Sequence, residues 1–90
     1  MMRKVSYSKR FEKDAKRLQK RGYALNKLRE IVTRLAAGKT LEDRYRDHPL
    51  HGNYEGFREC HIAPDWLLVY ILTEDELALA RTGTHSELFE

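Results

Sequence analysis

The stretch FRECHIAPDWLLVYILTEDELALART, residues 57–82, decides the fold. Phe57–Ala63, Trp66–Thr73 and Glu76–Thr82 are strand-like runs, separated by Pro64-Asp65 and Glu74-Asp75, two dipeptides suited to tight turns. Connections that short make neighbours antiparallel, so the stretch predicts a three-stranded meander. If the turns close at Ala63/Trp66 and Thr73/Glu76, then His61, Leu68 and Arg81 fall in one cross-strand row. Two-residue alternation puts Cys60, Ile62, Leu67, Val69, Ile71, Ala78 and Ala80 on one face, apolar enough to receive helices. The other face carries Phe57, Glu59, His61, Trp66, Tyr70, Leu77, Leu79 and Arg81. A one-residue slip in either hairpin would break the row.

Upstream, residues 3–7 alternate and run into Ser8, a favourable N-cap, so a short strand leads directly into a helix over 8–21. Phe11, Ala15 and Leu18 form its narrow apolar stripe, while Lys9, Arg10, Lys13, Lys16, Arg17, Lys20 and Arg21 coat the remainder. Gly22 breaks the run. Leu25, Leu28, Ile31, Val32 and Leu35 trace a second amphipathic helix that stops at Ala36-Ala37-Gly38, and so short a turn between the two predicts a helical hairpin. Residues 39–56, with Pro49, Gly52, Asn53 and Gly56, read as a long loop. The order β-α-α-loop-β-β-β is α+β: a helical hairpin packed on one face of a small, mainly antiparallel sheet, with residues 1–90 as one domain.

A chain of 90 residues that is 41% hydrophobic and 34% charged is too apolar for a disordered tail and too charged for a membrane protein. Its start, Met1-Met2-Arg3-Lys4-Val5-Ser6, has no apolar core of the kind a secretion signal carries, so a cytoplasmic address is expected. One cysteine, Cys60, excludes an internal disulfide and a thiol-based zinc knuckle. The net charge of +3 conceals an asymmetry: fifteen of the seventeen basic residues and six of the fourteen acidic ones lie in residues 1–47. That half is either an ordinary solvated helix surface or a face for a polyanion or an acidic protein. Arg58 and Arg81 are the only strong bases beyond it.

In a meander, the end of the first strand, the start of the second and the end of the third share one sheet edge. His61, Asp65, Trp66 and Arg81 therefore meet at a rim, with His85 and Phe89 in reach past Gly83-Thr84 and with His48 and His51 on the preceding loop. Each also has an ordinary explanation. His61 would sit in an exposed row, Arg81 would bridge to Glu59 or Asp65, Trp66 would be core, and His48 would be a loop residue. Convergence favours chemistry. No histidine pair has the i, i+4 spacing of a metallohydrolase helix, so no metal site is expected. Acid-base cleavage of RNA fits better, since it needs a base for the ribose 2′-hydroxyl, an acid for the leaving 5′-oxygen and a cation for the phosphorane-like charge.

Asp47-His48-Pro49-Leu50, Gly56-Phe57-Arg58-Glu59 with His61, Pro64-Asp65-Trp66-Leu67-Leu68-Val69-Tyr70, and Arg81-Thr82-Gly83-Thr84-His85 with Phe89 closely resemble the YafQ family of bacterial type II toxins, within the RelE/ParE superfamily. The resemblance spans nearly the whole chain. It implies a RelE-like, microbial-RNase-type layer and a ribosome-dependent endoribonuclease that cuts mRNA in the A site, without a cofactor. It further implies silencing by a cognate antitoxin, through which the complex contacts operator DNA, and it offers ribosomal RNA or the antitoxin as neutraliser of the basic helix. Carried over by position, the family's catalytic groups match His48, His61, Asp65, Arg81 and His85, and its substrate-contacting aromatics match Trp66 and Phe89; His51 matches none. The alternatives are a non-catalytic ParE-like gyrase poison, which lacks the histidine-rich rim, and a plain RNA-binding module.

Overall fold

The computed structural model describes residues 2–89. Strand β1 (Lys4–Tyr7) leads into helix α1 (Lys9–Lys20), where Ser8 accepts a hydrogen bond from the Phe11 backbone N–H as the N-cap. Gly22, at φ +86°, takes the left-handed conformation that ends α1, and the Tyr23 N–H closes back on the Leu18 carbonyl. Helix α2 (Leu25–Ala36) follows. The segment read as a loop contains two single 3-10 turns, Asp43–Tyr45 and Gly52–Tyr54, around a two-residue strand β2 (His48–Pro49). Then come β3 (Arg58–Ala63), β4 (Trp66–Leu72), β5 (Glu76–Gly83) and a short helix α3 (His85–Phe89).

The five strands form one sheet in the order β1-β5-β4-β3-β2, antiparallel except for the β1–β5 pair. Phe11 and Leu18 of α1 and Leu28, Ile31 and Leu35 of α2 pack with Cys60, Ile62, Trp66, Leu68, Tyr70, Leu77 and Leu79. The helical hairpin thus covers one sheet face, as expected. The membership of that face differs. Leu67, Val69 and Ala80, expected beneath the helices, instead form a second small cluster with Leu88 of α3, Leu50 and Phe57 on the opposite face.

Two β-bulges cause the difference. His61 faces Leu67 and Ala63 faces Trp66, so Ile62 is an extra residue in β3; Val69 faces Arg81 and Tyr70 faces Leu79, so Ala80 is an extra residue in β5. His61, Leu68 and Arg81 therefore do not share a row. The offsets are opposite in sense, so together they slide β5 by two residues against β3. β4 is inverted relative to the expected faces, and so is β5 as far as Ala80; only past the second bulge does Arg81 regain its expected face. Without the bulge at Ala80, Arg81 would follow Leu77 and Leu79 into the core by alternation. With it, Arg81 shares a row with Glu59 and Val69, one step from His61 on the same face.

Candidate active site

The face opposite the helical hairpin gathers the histidines. His48 on β2 pairs with Glu59 on β3, and its Nε2 lies 3.5 Å from Glu59 Oε1. The same carboxylate oxygen is 3.5 Å from His61 Nε2, which places one buried negative charge between two imidazoles. His48 Nδ1 is 2.6 Å from the Arg46 carbonyl. A carbonyl only accepts, so the proton of neutral His48 sits on Nδ1 and Nε2 presents its lone pair.

His85 arrives from the other side, on α3. Thr84 Oγ1 accepts from the Glu87 N–H while Glu87 Oε1 accepts from the Thr84 N–H, a capping box that fixes where this short helix begins. At its start, the His85 N–H and Nδ1 both donate to Asp65 Oδ1, at 3.1 and 3.0 Å, from the turn between β3 and β4. The His85 ring, followed by its N–H, holds the Asp65 carboxyl below the usual carboxylate range, so Asp65 keeps His85 protonated at Nδ1 and its Nε2 free. The rings of His61 and His85 are 5.7 Å apart, those of His85 and Phe89 6.5 Å, and Phe89 meets Tyr54 edge-on at 5.2 Å.

Arg81 is held by a residue that the sequence reading placed nowhere near it. Asp14 of α1 is 3% exposed; it accepts from Arg81 Nε at 2.7 Å and Nη2 at 3.3 Å, from the Thr82 backbone N–H at 3.2 Å and from Arg17 at 3.1 Å. The bridge expected from Arg81 to Glu59 or Asp65 is not formed. A signal existed: Asp14 lies between Phe11 and Leu18 on the apolar stripe, where a carboxylate needs partners.

Trp66 is corrected to a core residue. It is 4% exposed, meets the Tyr23 ring edge-on at 5.1 Å and donates through Nε1 to Thr82 Oγ1 at 2.9 Å, because the bulge at Ile62 turns it toward the helices. Phe89, by contrast, is exposed beside His85. The sequence reading gave no role to Glu59, although its side chain is buried against two histidines. Burial pushes the Cys60 thiol up to about 12, so it stays protonated and inert near neutrality.

Glu59, His61 and His85 bring one ligand atom each to within 4.8 Å of one another. Two imidazole nitrogens and a carboxylate oxygen suit zinc or copper. The arrangement thus offers bare imidazole nitrogens for proton transfer, two carboxylates that orient them, one guanidinium for phosphate charge and an exposed ring for a base.

A family model described as a bacterial toxin of a type II toxin-antitoxin system, YafQ, matches residues 3–90. The chain is similar to the mRNA interferase toxin YafQ of Escherichia coli (strain K12), 43% identical over 90 residues, covering 99% of this chain and 98% of the relative. Its fold is similar to the crystal structure of the E. coli DinJ-YafQ toxin-antitoxin complex, with TM-score 0.92 and 43% identity, covering all of both chains. It is also similar to the crystal structure of a metal-bound toxin from Helicobacter pylori, with TM-score 0.90 and 47% identity, covering 99% of this chain and 100% of the other.

Proposed function

Because the chain belongs to the YafQ family of bacterial type II toxins, we propose that it is an mRNA interferase, an endoribonuclease that cuts messages in the ribosomal A site in the cytoplasm and is silenced by a cognate antitoxin. The E. coli relative is named an mRNA interferase and assembles with DinJ. The observation that carries the chemistry is the placement of His48, His61 and His85, with Asp65, Glu59 and Arg81, on one sheet face. That placement favours cleavage over a gyrase poison or a passive RNA binder.

In the proposed step, the 2′-oxygen attacks the adjacent phosphorus while a neutral imidazole Nε2 takes its proton. The bond to the 5′-oxygen breaks as a protonated imidazole supplies a proton to it. His48 and His85, each fixed as the Nδ1–H tautomer, are both equipped for these roles, and His61 stands between Glu59 and His85. Arg81, aimed by Asp14, offers its planar fork to the phosphorane oxygens. Asp65 orients His85, as the third member of a triad orients its base. Phe89 stacks on an unpaired base.

The H. pylori relative is described as metal-bound. In this chain an ion would be held by Glu59, His61 and His85, and it would occupy the nitrogens that proton transfer needs. Metal binding and cleavage would then exclude each other.

Single-turnover cleavage on programmed ribosomes tests the reading. His61→Ala and His85→Ala should each lower the rate by roughly 10²-fold or more, with antitoxin binding intact. Unchanged rates for both would overturn it.

A further inference from the structure

Beside the histidine face lies a groove of about 550 Å³, walled by Lys27 and Glu30 of α2, by Arg44 and Arg46 of the segment before β2, and by His61 and the end of β3. Three features single it out. His61 lines both the groove and the catalytic cluster, so the two are one continuous surface. β2 pairs only with Arg58 and Glu59, so the outer edge of β3 beyond Glu59 has no strand partner on that side. The groove also carries three cationic side chains against one lining carboxylate.

Near the cluster the other arginines are each held by a carboxylate: Arg81 and Arg17 share Asp14, Arg17 and Arg21 share Glu87, and Arg58 lies on Asp47. Glu30, the groove's one carboxylate, lies 3.3 Å from Arg34 rather than turning to the groove's own bases. Among the described residues, Lys27 and Arg46 form no ion pair, and Arg44 meets one carboxylate, Glu42, at 3.6 Å while donating to the Tyr45 hydroxyl at 2.8 Å. Arg46 adopts φ +48°, and its carbonyl is the one that sets the His48 tautomer, so the backbone that carries this cation also orders the catalytic ring.

We infer that this groove is a phosphate-backbone subsite of the message, in which Lys27, Arg44 and Arg46 hold phosphodiesters flanking the scissile one so that the strand leaves the cluster past His61 along the open edge of β3. The inference rests on the endoribonuclease reading. A single strand of RNA presents regularly spaced negative charge and no requirement for a preformed duplex, which suits an extended basic groove. An acidic peptide would meet the same cations, and the antitoxin arm of the test separates it from RNA.

The test is the double variant Lys27→Ala/Arg46→Asn; both side chains are exposed, and asparagine tolerates the left-handed backbone. Multiple-turnover cleavage on programmed ribosomes should show a raised KM with kcat nearly unchanged. Lys27→Arg/Arg46→Lys, which keeps both charges, should restore the wild-type KM. Binding of a 2′-O-methyl RNA oligonucleotide, followed by fluorescence anisotropy against salt, should lose two phosphates' worth of slope, about 1.4 in log K against log salt. Between ~50 and ~200 mM salt the wild-type affinity should therefore fall about sevenfold more than the variant's. Unchanged KM and slope, with cleavage intact, overturn the groove alone. Lost antitoxin affinity with unchanged KM does the same and assigns the groove to a peptide. A wild type that binds RNA through these residues and never cleaves overturns the enzymatic reading and leaves the subsite standing.

Discussion

Replacing Asp14 with asparagine should weaken the fold by a measurable amount and slow cleavage through Arg81. The carboxylate accepts four hydrogen bonds, three from arginine nitrogens and one from the buried Thr82 N–H. Asparagine keeps the shape and one acceptor, so the Thr82 bond persists, but its amide NH₂ group then faces guanidinium nitrogens. Hydrogen bonds to charged groups contribute about 1.5–3 kcal/mol each. Because Arg17 is 42% exposed and water recovers much of its solvation, the net loss is about 2 kcal/mol. Alanine would also strand the Thr82 N–H, adding about 1–3 kcal/mol. Against a total stability of about 5–13 kcal/mol for a chain of this length, the asparagine variant stays folded and the alanine variant approaches the limit. For asparagine the midpoint of thermal unfolding should drop by about 8–16 °C. Urea unfolding should show a lower midpoint at constant slope, and single-turnover cleavage should fall at concentrations where the variant is folded. In an Arg81→Ala background, Asp14→Asn should slow cleavage no further, since the effect travels through the guanidinium. Stability within about 0.5 kcal/mol of wild type would refute the reasoning, as would an equal further loss of cleavage in the Arg81→Ala background.

Trp66→Phe should cost about 1 kcal/mol of stability from the lost bond to Thr82 Oγ1 and leave the KM for message unchanged; a raised KM at full stability would show that the ring reaches RNA. Acid should release α3 before the core. The Thr84 N–H, helped by Arg17 and Arg21, holds the Glu87 carboxyl below its ordinary value of 4.5. The stabilisation from a depressed carboxyl is complete above the unfolded-state range and disappears as pH falls through the lower folded-state value. Hydrogen exchange at the Leu88 amide should therefore accelerate in that acid window, and Glu87→Gln should abolish the pH dependence. Added zinc should inhibit cleavage and chelation should restore it, with Glu59→Gln less sensitive; inhibition equal in both proteins would place the ion elsewhere.

The sequence made much of the fold legible because its signals are local. The alternation in residues 57–82, the Pro64-Asp65 and Glu74-Asp75 turns, the Ser8 cap and the glycine stops each act within a few residues. The bulges at Ile62 and Ala80 escaped because nothing in the turn dipeptides encodes an inserted residue, and alternation alone cannot choose between neighbouring registers. The preference of Leu77 and Leu79 for the helices and of Arg81 for the other face decides it only once the helical layer is in place. Helix α3 was readable: Thr84-His85-Ser86-Glu87 is a capping-box pattern, but five residues carry too little periodicity to stand out. His48, His61, His85 and Phe89 emerge together, whereas His51, expected beside His48, is exposed and meets Glu55 instead. Trp66 does not join them, because one residue of slip exchanges platform for core.

The paired bulges also constrain how the gene can drift. Loss of the codon for Ala80 alone would leave Leu77 and Leu79 in place yet swing the guanidinium beyond them into the core and away from Asp14, producing a weakened and inactive product.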